Sequence, residues 1–206
     1  MLVAFFIALV AGIAAFYWLI LKNSAEKIAK QYTRLAESYD LELSLPEPAM
    51  GGFIRPEPSV YGRVEGREVS ISVPGKGLQN TRQIETVLKL EIGDYSLAAQ
   101  LTGKGLLGNF RQRDSRGMER WKSGHERFDH AVEARTNDAA VLEHLLNEER
   151  RDAVVPLLRK GKGSIYIGSG VLAYAELGLI ANAAQRERFE SVLELFLRFA
   201  EALESG

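Results

Sequence analysis

There is no cysteine among the 206 residues, which removes a disulfide framework, a thiolate metal site and a cysteine nucleophile together. It leaves the compartment open. An excess of charge of one sign is also lacking: Lys and Arg number 26 against 27 Asp and Glu, a formal net charge of -1. No global field therefore points to nucleic acid as a partner. Histidine occurs three times, and proline six times, at positions where turns are expected. A nucleophile elbow of the Gly-x-Ser-x-Gly type is missing too. Gly168-Ser169-Gly170 reads instead as a tight hairpin turn. Gly75-Lys76-Gly77, Gly103-Lys104-Gly105 and Gly161-Lys162-Gly163 lack the spacing of a phosphate loop and the hydroxyl residue after its lysine, so they read as strand-end loops. With no nucleophile held by a base, the expectation is a non-enzymatic protein with no catalytic residue, no metal and no cofactor.

The chain holds one long apolar run, Leu2 to Leu21, without a charge. About 20 such residues cross a hydrocarbon core of about 30 Å as a helix, the state that satisfies every backbone group internally. No basic residue precedes the run, and the positions before Lys22 are bulky, so it reads as an anchor and not as a cleaved signal. Tyr17, Trp18 and Lys22 stand where an interfacial belt belongs. Lys22, Lys27, Lys30 and Arg34 crowd the C-terminal flank. The positive-inside rule then puts the N-terminus outside and the soluble domain in the cytoplasm, on an inner membrane if the chain is bacterial. Ala4, Ala8, Ala11, Gly12 and Ala15 make a stripe of small residues. Such spacing suits close packing against a second copy of the helix or against another membrane subunit.

Beyond the anchor (1–22), a juxtamembrane helix (23–40) is expected from Ile28, Tyr32, Leu35, Ala36 and Tyr39. Asn23 with Glu26 resembles a capping box, so this helix either continues the anchor or breaks from it at Asn23-Ser24. The remainder (41–206) reads as one α+β domain. A short strand, Leu41 to Leu45, stops at Pro46, and a proline- and glycine-rich loop without regular structure follows. Alternation then predicts a hairpin turning at Glu65-Gly66, a second running from Thr86 through Gly93-Asp94 to Leu101, a strand from His130 to Arg135, and a third hairpin over Ser164 to Leu177. Helices are expected after Asn137 or Asp138, after Asn147 with Pro156 kinking or shortening it, and from about Ala183. The last presents Phe189, Val192, Leu193, Phe196, Phe199, Ala200 and Leu203 on one stripe. The architecture is therefore an antiparallel sheet of β-hairpins covered by amphipathic helices.

Val60-Tyr61-Gly62, Gly66-Arg67-Glu68-Val69 and Gly124-His125-Glu126-Arg127-Phe128-Asp129 follow the membrane segment in that order. This arrangement resembles a bacterial group of membrane-anchored domains of unknown function with a Gly-Asp-x-x-Phe-Asp-x-x-Phe signature. Phe128 and Asp129 match it, His125 replaces the first Asp, and Val132 replaces the second Phe. The resemblance implies a fold and a membrane setting, and no catalytic residue.

Two clusters remain. His125, Glu126, Asp129 and His130, with Glu143 and His144, hold metal-ligating groups at no recognised ligand spacing. They read better as a turn in which Asp129 caps neighbouring amides. Arg111, Arg113, Arg116, Arg120, Trp121 and Lys122 form a basic, partly apolar segment suited to an anionic lipid surface or an acidic partner. The expected function is an accessory or scaffolding subunit of a membrane protein complex. A membrane-tethered domain sensing a small molecule or peptide is the alternative, and a metal-dependent hydrolase comes third.

Overall fold

The computed structural model describes residues 2–54, 56–74, 84–104, 117–158 and 163–205, with side chains from Phe5 onward. Helix α1 runs unbroken from Leu2–Tyr39, about 57 Å at 1.5 Å per residue. Asn23 lies inside it and caps nothing, so the continuous arrangement holds. The first half is apolar and exposed; by length and composition it is sufficient to cross a membrane. In the second half the expected stripe turns inward, with Tyr32 and Leu35 at 0% exposure, Ala36 buried, and Ile28 and Tyr39 partly so. One helix is therefore both the apolar span and part of the domain's core.

The other elements are β1 (Glu42–Ser44), β2 (Ser59–Val64), β3 (Arg67–Ser72), β4 (Glu85–Glu91), β5 (Ala99–Gly103), β6 (Glu119–Trp121), α2 (Glu126–Ala131), β7 (Val132–Thr136), α3 (Ala139–Leu145), α4 (Glu148–Leu158), β8 (Gly163–Gly168), β9 (Val171–Leu177) and α5 (Ala183–Glu204). The nine strands form one sheet in the order β1-β2-β3-β4-β9-β8-β5-β7-β6. Every pairing in it is antiparallel. The α+β architecture of a long apolar helix followed by an antiparallel sheet with helices is what the alternation implied.

Register explains which face the helices cover. Val60, Ile71, Leu88, Tyr174, Ile165, Leu101 and Ala134 stand opposite one another across seven successive strands. All are buried. The neighbouring row on the other face, Tyr61, Ser70, Lys89, Ala173, Tyr166, Gln100 and Arg135, is mostly polar. Because side chains alternate with a period of two, a slip of one residue would exchange these rows. The buried stripe of α5 packs on the apolar row, with Phe189 edge-on to Tyr174 at 5.3 Å between ring centres.

Two of the three expected hairpins are present. Glu65-Gly66 and Ser169-Gly170 turn with φ of 52° and 80°, and 52° and 73°, the paired positive values of a type I′ turn. The Gly93-Asp94 hairpin does not form. Neither residue has a positive φ, and β4 takes β9 as its partner from Glu85↔Leu177 to Glu91↔Val171. After β4 the chain leaves along β9, Ile92 N donating to Gly170 O at 2.8 Å. It reaches β5 two strands farther across the sheet, against β8 and β7.

Asp138 and Asn147 cap their helices as expected, and Asn182, which the pattern had not marked, caps α5. Asp138 accepts from Ala140 and Val141 amides, Asn147 from Arg150, and Asn182 from Gln185. Pro156 lies within α4, two residues before its last residue, Leu158.

Candidate functional site at the membrane-proximal end

The first half of α1 leaves the domain beside the loop that joins β1 to β2. Pro46, Pro48, Pro56 and Pro58 restrict both arms of this loop, and between the arms the chain is ordered. Ala49 and Ile54 form an isolated bridge, with N–H···O distances of 2.8 and 3.2 Å. Met50, Gly51 and Gly52 take positive φ of 49°, 66° and 92°. The reversal depends on the two glycines, which adopt that region without steric cost. A short 3-10 turn, Met50–Gly52, forms where the proline and glycine pattern had predicted no regular structure.

This loop touches α1 at two levels. Near the soluble domain its arms and α1 enclose a groove of about 340 Å³, lined by Ala25, Ile28 and Ala29 on the helix and Leu45, Pro48 and Pro58 on the loop. The lining is largely apolar, with Glu26, Glu47 and Glu57 at its rim. Farther toward the N-terminus, the Trp18 indole Nε1 donates to Gly51 O at 3.0 Å. Lys22 Nζ lies over the same indole, 5.4 Å from the ring centre, and 3.9 Å from Glu26. Trp18 thus holds a polar contact on the loop and a cation on its face, while its ring remains at the end of the apolar run.

The core carries several paired polar groups. Tyr32 Oη lies 3.4 Å from Thr86 Oγ1, which donates to Gly178 O at 2.7 Å. Burial raises the Tyr32 phenol above its usual range, against the opposing effect of the Thr86 bond. Tyr39 is pushed up to about 12, first by burial and then by Glu194 and Glu190. Glu176 is clamped by Arg188 through two bonds of 2.7 Å and accepts from Tyr174 Oη at 2.8 Å. Nucleophile-and-base geometry does not arise from these pairs. They lock helices to the sheet.

The sequence candidates separate in space. Ala8, Ala11, Gly12 and Ala15 lie on the exposed half of α1, and a Cβ added at Gly12 would meet nothing within 4 Å. Ala4 is on the same helix, its side chain outside the described residues. Tyr17 is exposed there as well. Arg111, Arg113 and Arg116 lie outside the described residues. Arg120 and Trp121 belong to β6, at the opposite edge of the sheet from β1, roughly 38 Å away at 4.8 Å per strand. Trp121 is not a free apolar contact: its ring packs edge-on to Phe128 at 6.1 Å, with the Arg151 guanidinium at 5.8 Å. Arg120 pairs with Glu133 at 3.2 Å, and Lys122 is exposed.

The histidine and carboxylate cluster resolves into a turn. Asp129 Oδ1 accepts from the Ser123 amide and hydroxyl, both at 2.9 Å, and Oδ2 from the Gly124 amide at 3.0 Å. Phe128 is 1% exposed. The Phe-Asp pair of the signature thus anchors one side chain in the core and ties down the loop before α2. That segment is helical from Glu126–Ala131, where a strand from His130 had been expected; the strand begins at Val132.

The residues that sequence reasoning missed are Met50, Phe53 and Ile54, which stand 75%, 49% and 51% exposed on the loop tip. The available signal was Gly51-Gly52 between apolar residues, framed by prolines.

No family model and no curated protein sequence matches the chain. In three dimensions it is similar to the crystal structure of the mycobacterial trehalose monomycolate transport factor A, TtfA, with a TM-score of 0.57. The likeness covers 85% of this chain and 94% of that one at 12% sequence identity, and it establishes a shared fold.

Proposed function

We propose that this chain is a single-pass, membrane-anchored accessory subunit of a membrane protein complex, acting without catalysis. The observation that carries the reading is the uninterrupted α1, whose exposed apolar half and core-forming half are one rigid rod. A flexible linker would let the domain wander. A continuous helix holds it at a set height above the bilayer, which suits a part that positions other subunits. The polar face of the sheet, carrying Tyr61, Lys89 and Glu91 around a shallow groove of about 310 Å³, is available for such a partner. The fold shared with a transport factor is consistent with a membrane-associated accessory role.

In this reading Ala4, Ala8, Ala11, Gly12 and Ala15 pack against a second membrane helix, and Lys22, Lys27, Lys30 and Arg34 keep the domain on the cytoplasmic side. The segment holding Arg111, Arg113, Arg116, Arg120, Trp121 and Lys122 supplies basic charge for anionic lipid or an acidic partner. Native purification of the full chain in mild detergent, followed by mass spectrometry, tests the role. Stoichiometric membrane subunits are expected. A solitary chain carrying a tightly bound small molecule would overturn it in favour of a sensing domain, for which the apolar groove beside Ala25 and Leu45 is the observation in hand. Sidedness is tested by Asp94→Cys and a membrane-impermeant maleimide, which should label only after the inner membrane is opened.

A further inference from the structure

We propose that the tip of the β1–β2 loop, Met50 to Ile54, is a second membrane contact that dips into the lipid interface beside the anchor. The inference rests on the reading of α1 as a membrane anchor and adds to it a site on a different part of the chain. Three independent observations support it.

The first is height. The arms of the loop face Ala25 and Ala29 of α1 across the groove, while its tip is bonded to Trp18 through Gly51 O at 3.0 Å. The rise from Trp18 to Ala25 is about 10 Å along the helix. The loop therefore descends toward the span and ends one turn below Lys22, the first charge after the apolar run. Burial of about 5–10 Å into the boundary of headgroup and acyl chain is the usual depth of an interfacial segment.

The second is exposure. Met50, Phe53 and Ile54 are 75%, 49% and 51% exposed, although Ala49 and Ile54 are bridged and the turn is well formed. The apolar side chains point outward from an ordered loop, the arrangement of a surface contact and not of a core fragment. The third is charge: no ionisable residue lies between Glu47 and Arg55, so the tip carries nothing that resists entry into a low-dielectric layer.

One helix fixes a domain's height but leaves it free to tilt and rotate about the helix axis. A second apolar contact beside the first removes that freedom. The tip thus sets which part of the sheet faces along the membrane.

The absence of native cysteine makes the test direct. Full-length Met50→Cys and Phe53→Cys variants, and Asp94→Cys as a control at an exposed position outside regular structure, carry an environment-sensitive fluorophore. They are reconstituted in vesicles of phosphatidylcholine and phosphatidylglycerol and floated on a density gradient. The floated protein should show blue-shifted emission at positions 50 and 53, quenching by lipids spin-labelled near the headgroup, and protection from aqueous iodide. Position 94 should show none of these. Flotation with positions 50 and 53 open to iodide would overturn the proposal while leaving the anchor intact. Protection from iodide without quenching by spin-labelled lipid would overturn it in favour of contact between copies of the chain. Failure to float would overturn the anchor reading and this proposal together.

Discussion

Gly163→Ala decides whether the polar core is packed as tightly as the geometry requires. Gly163 opens β8 opposite Glu176 of β9, and its φ is not positive. Backbone preference alone would then make alanine stabilising by roughly 0.4–1 kcal/mol. The site predicts the opposite sign. A Cβ there would stand 2.3 Å from Tyr174 Cε2, 2.5 Å from Oη and 2.6 Å from Cζ. The ring has nowhere to retreat, being 0% exposed, edge-on to Phe189 and bonded to Glu176. Forcing a methyl into a packed core costs about 1–3 kcal/mol. Displacing the phenol from a carboxylate acceptor adds about 1.5–3 kcal/mol. After the backbone gain is subtracted, the net loss is about 3 kcal/mol, or roughly 10 °C in Tm at the 2–4 °C per kcal/mol of a chain this size. Thermal and urea unfolding of the full-length protein in detergent, followed by near-ultraviolet circular dichroism, reads this directly. Tyr174→Leu in the Gly163→Ala background should recover part of the loss through a favourable coupling energy. A Gly163→Ala protein as stable as the parent, or more so, would refute the reasoning.

Other consequences follow from the same contacts. Asp129→Ala removes the acceptor of three bonds from Ser123 and Gly124. It should cost about 2–3 kcal/mol and raise protease sensitivity before α2, while metal content measured on the purified protein stays unchanged. Tyr39 is held neutral in the fold up to about pH 12, whereas an unfolded tyrosine ionises near 10. The unfolded state therefore gains by losing its proton first, and stability should fall as pH rises from about 10 to 12. Tyr39→Phe should flatten that part of a denaturation-against-pH curve, and an unchanged slope would assign it elsewhere. Gly12→Leu adds bulk where the single chain has nothing nearby. It should leave the melting of the domain intact and weaken association of the full-length protein seen by cross-linking in membranes.

Much of this molecule was legible locally. An uncharged run long enough to span lipid, a helical stripe from Ile28 to Tyr39, and the caps Asp138 and Asn147 all depend on neighbours within a few residues. Composition and spacing alone determine such features. The two turns of Glu65-Gly66 and Ser169-Gly170 belong with them, because a residue followed by glycine suits paired positive φ. The failure at Gly93-Asp94 marks the limit. Alternation on both sides of it was real, but alternation says only that each strand has an inner face, and nothing about which strand stands next to it. That choice was made by the sheet as a whole, which inserted β9 and β8 between β4 and β5. The site divided in the same way. Trp18 and Lys22 were readable as the end of the apolar run from their place in the chain. That Gly51 would meet Trp18, a contact spanning 33 residues, and so carry Met50 and Phe53 to the level of the anchor, was decided only when α1 packed against the first strands. Non-local contacts form where buried rows of several elements match together, and no single segment records that match.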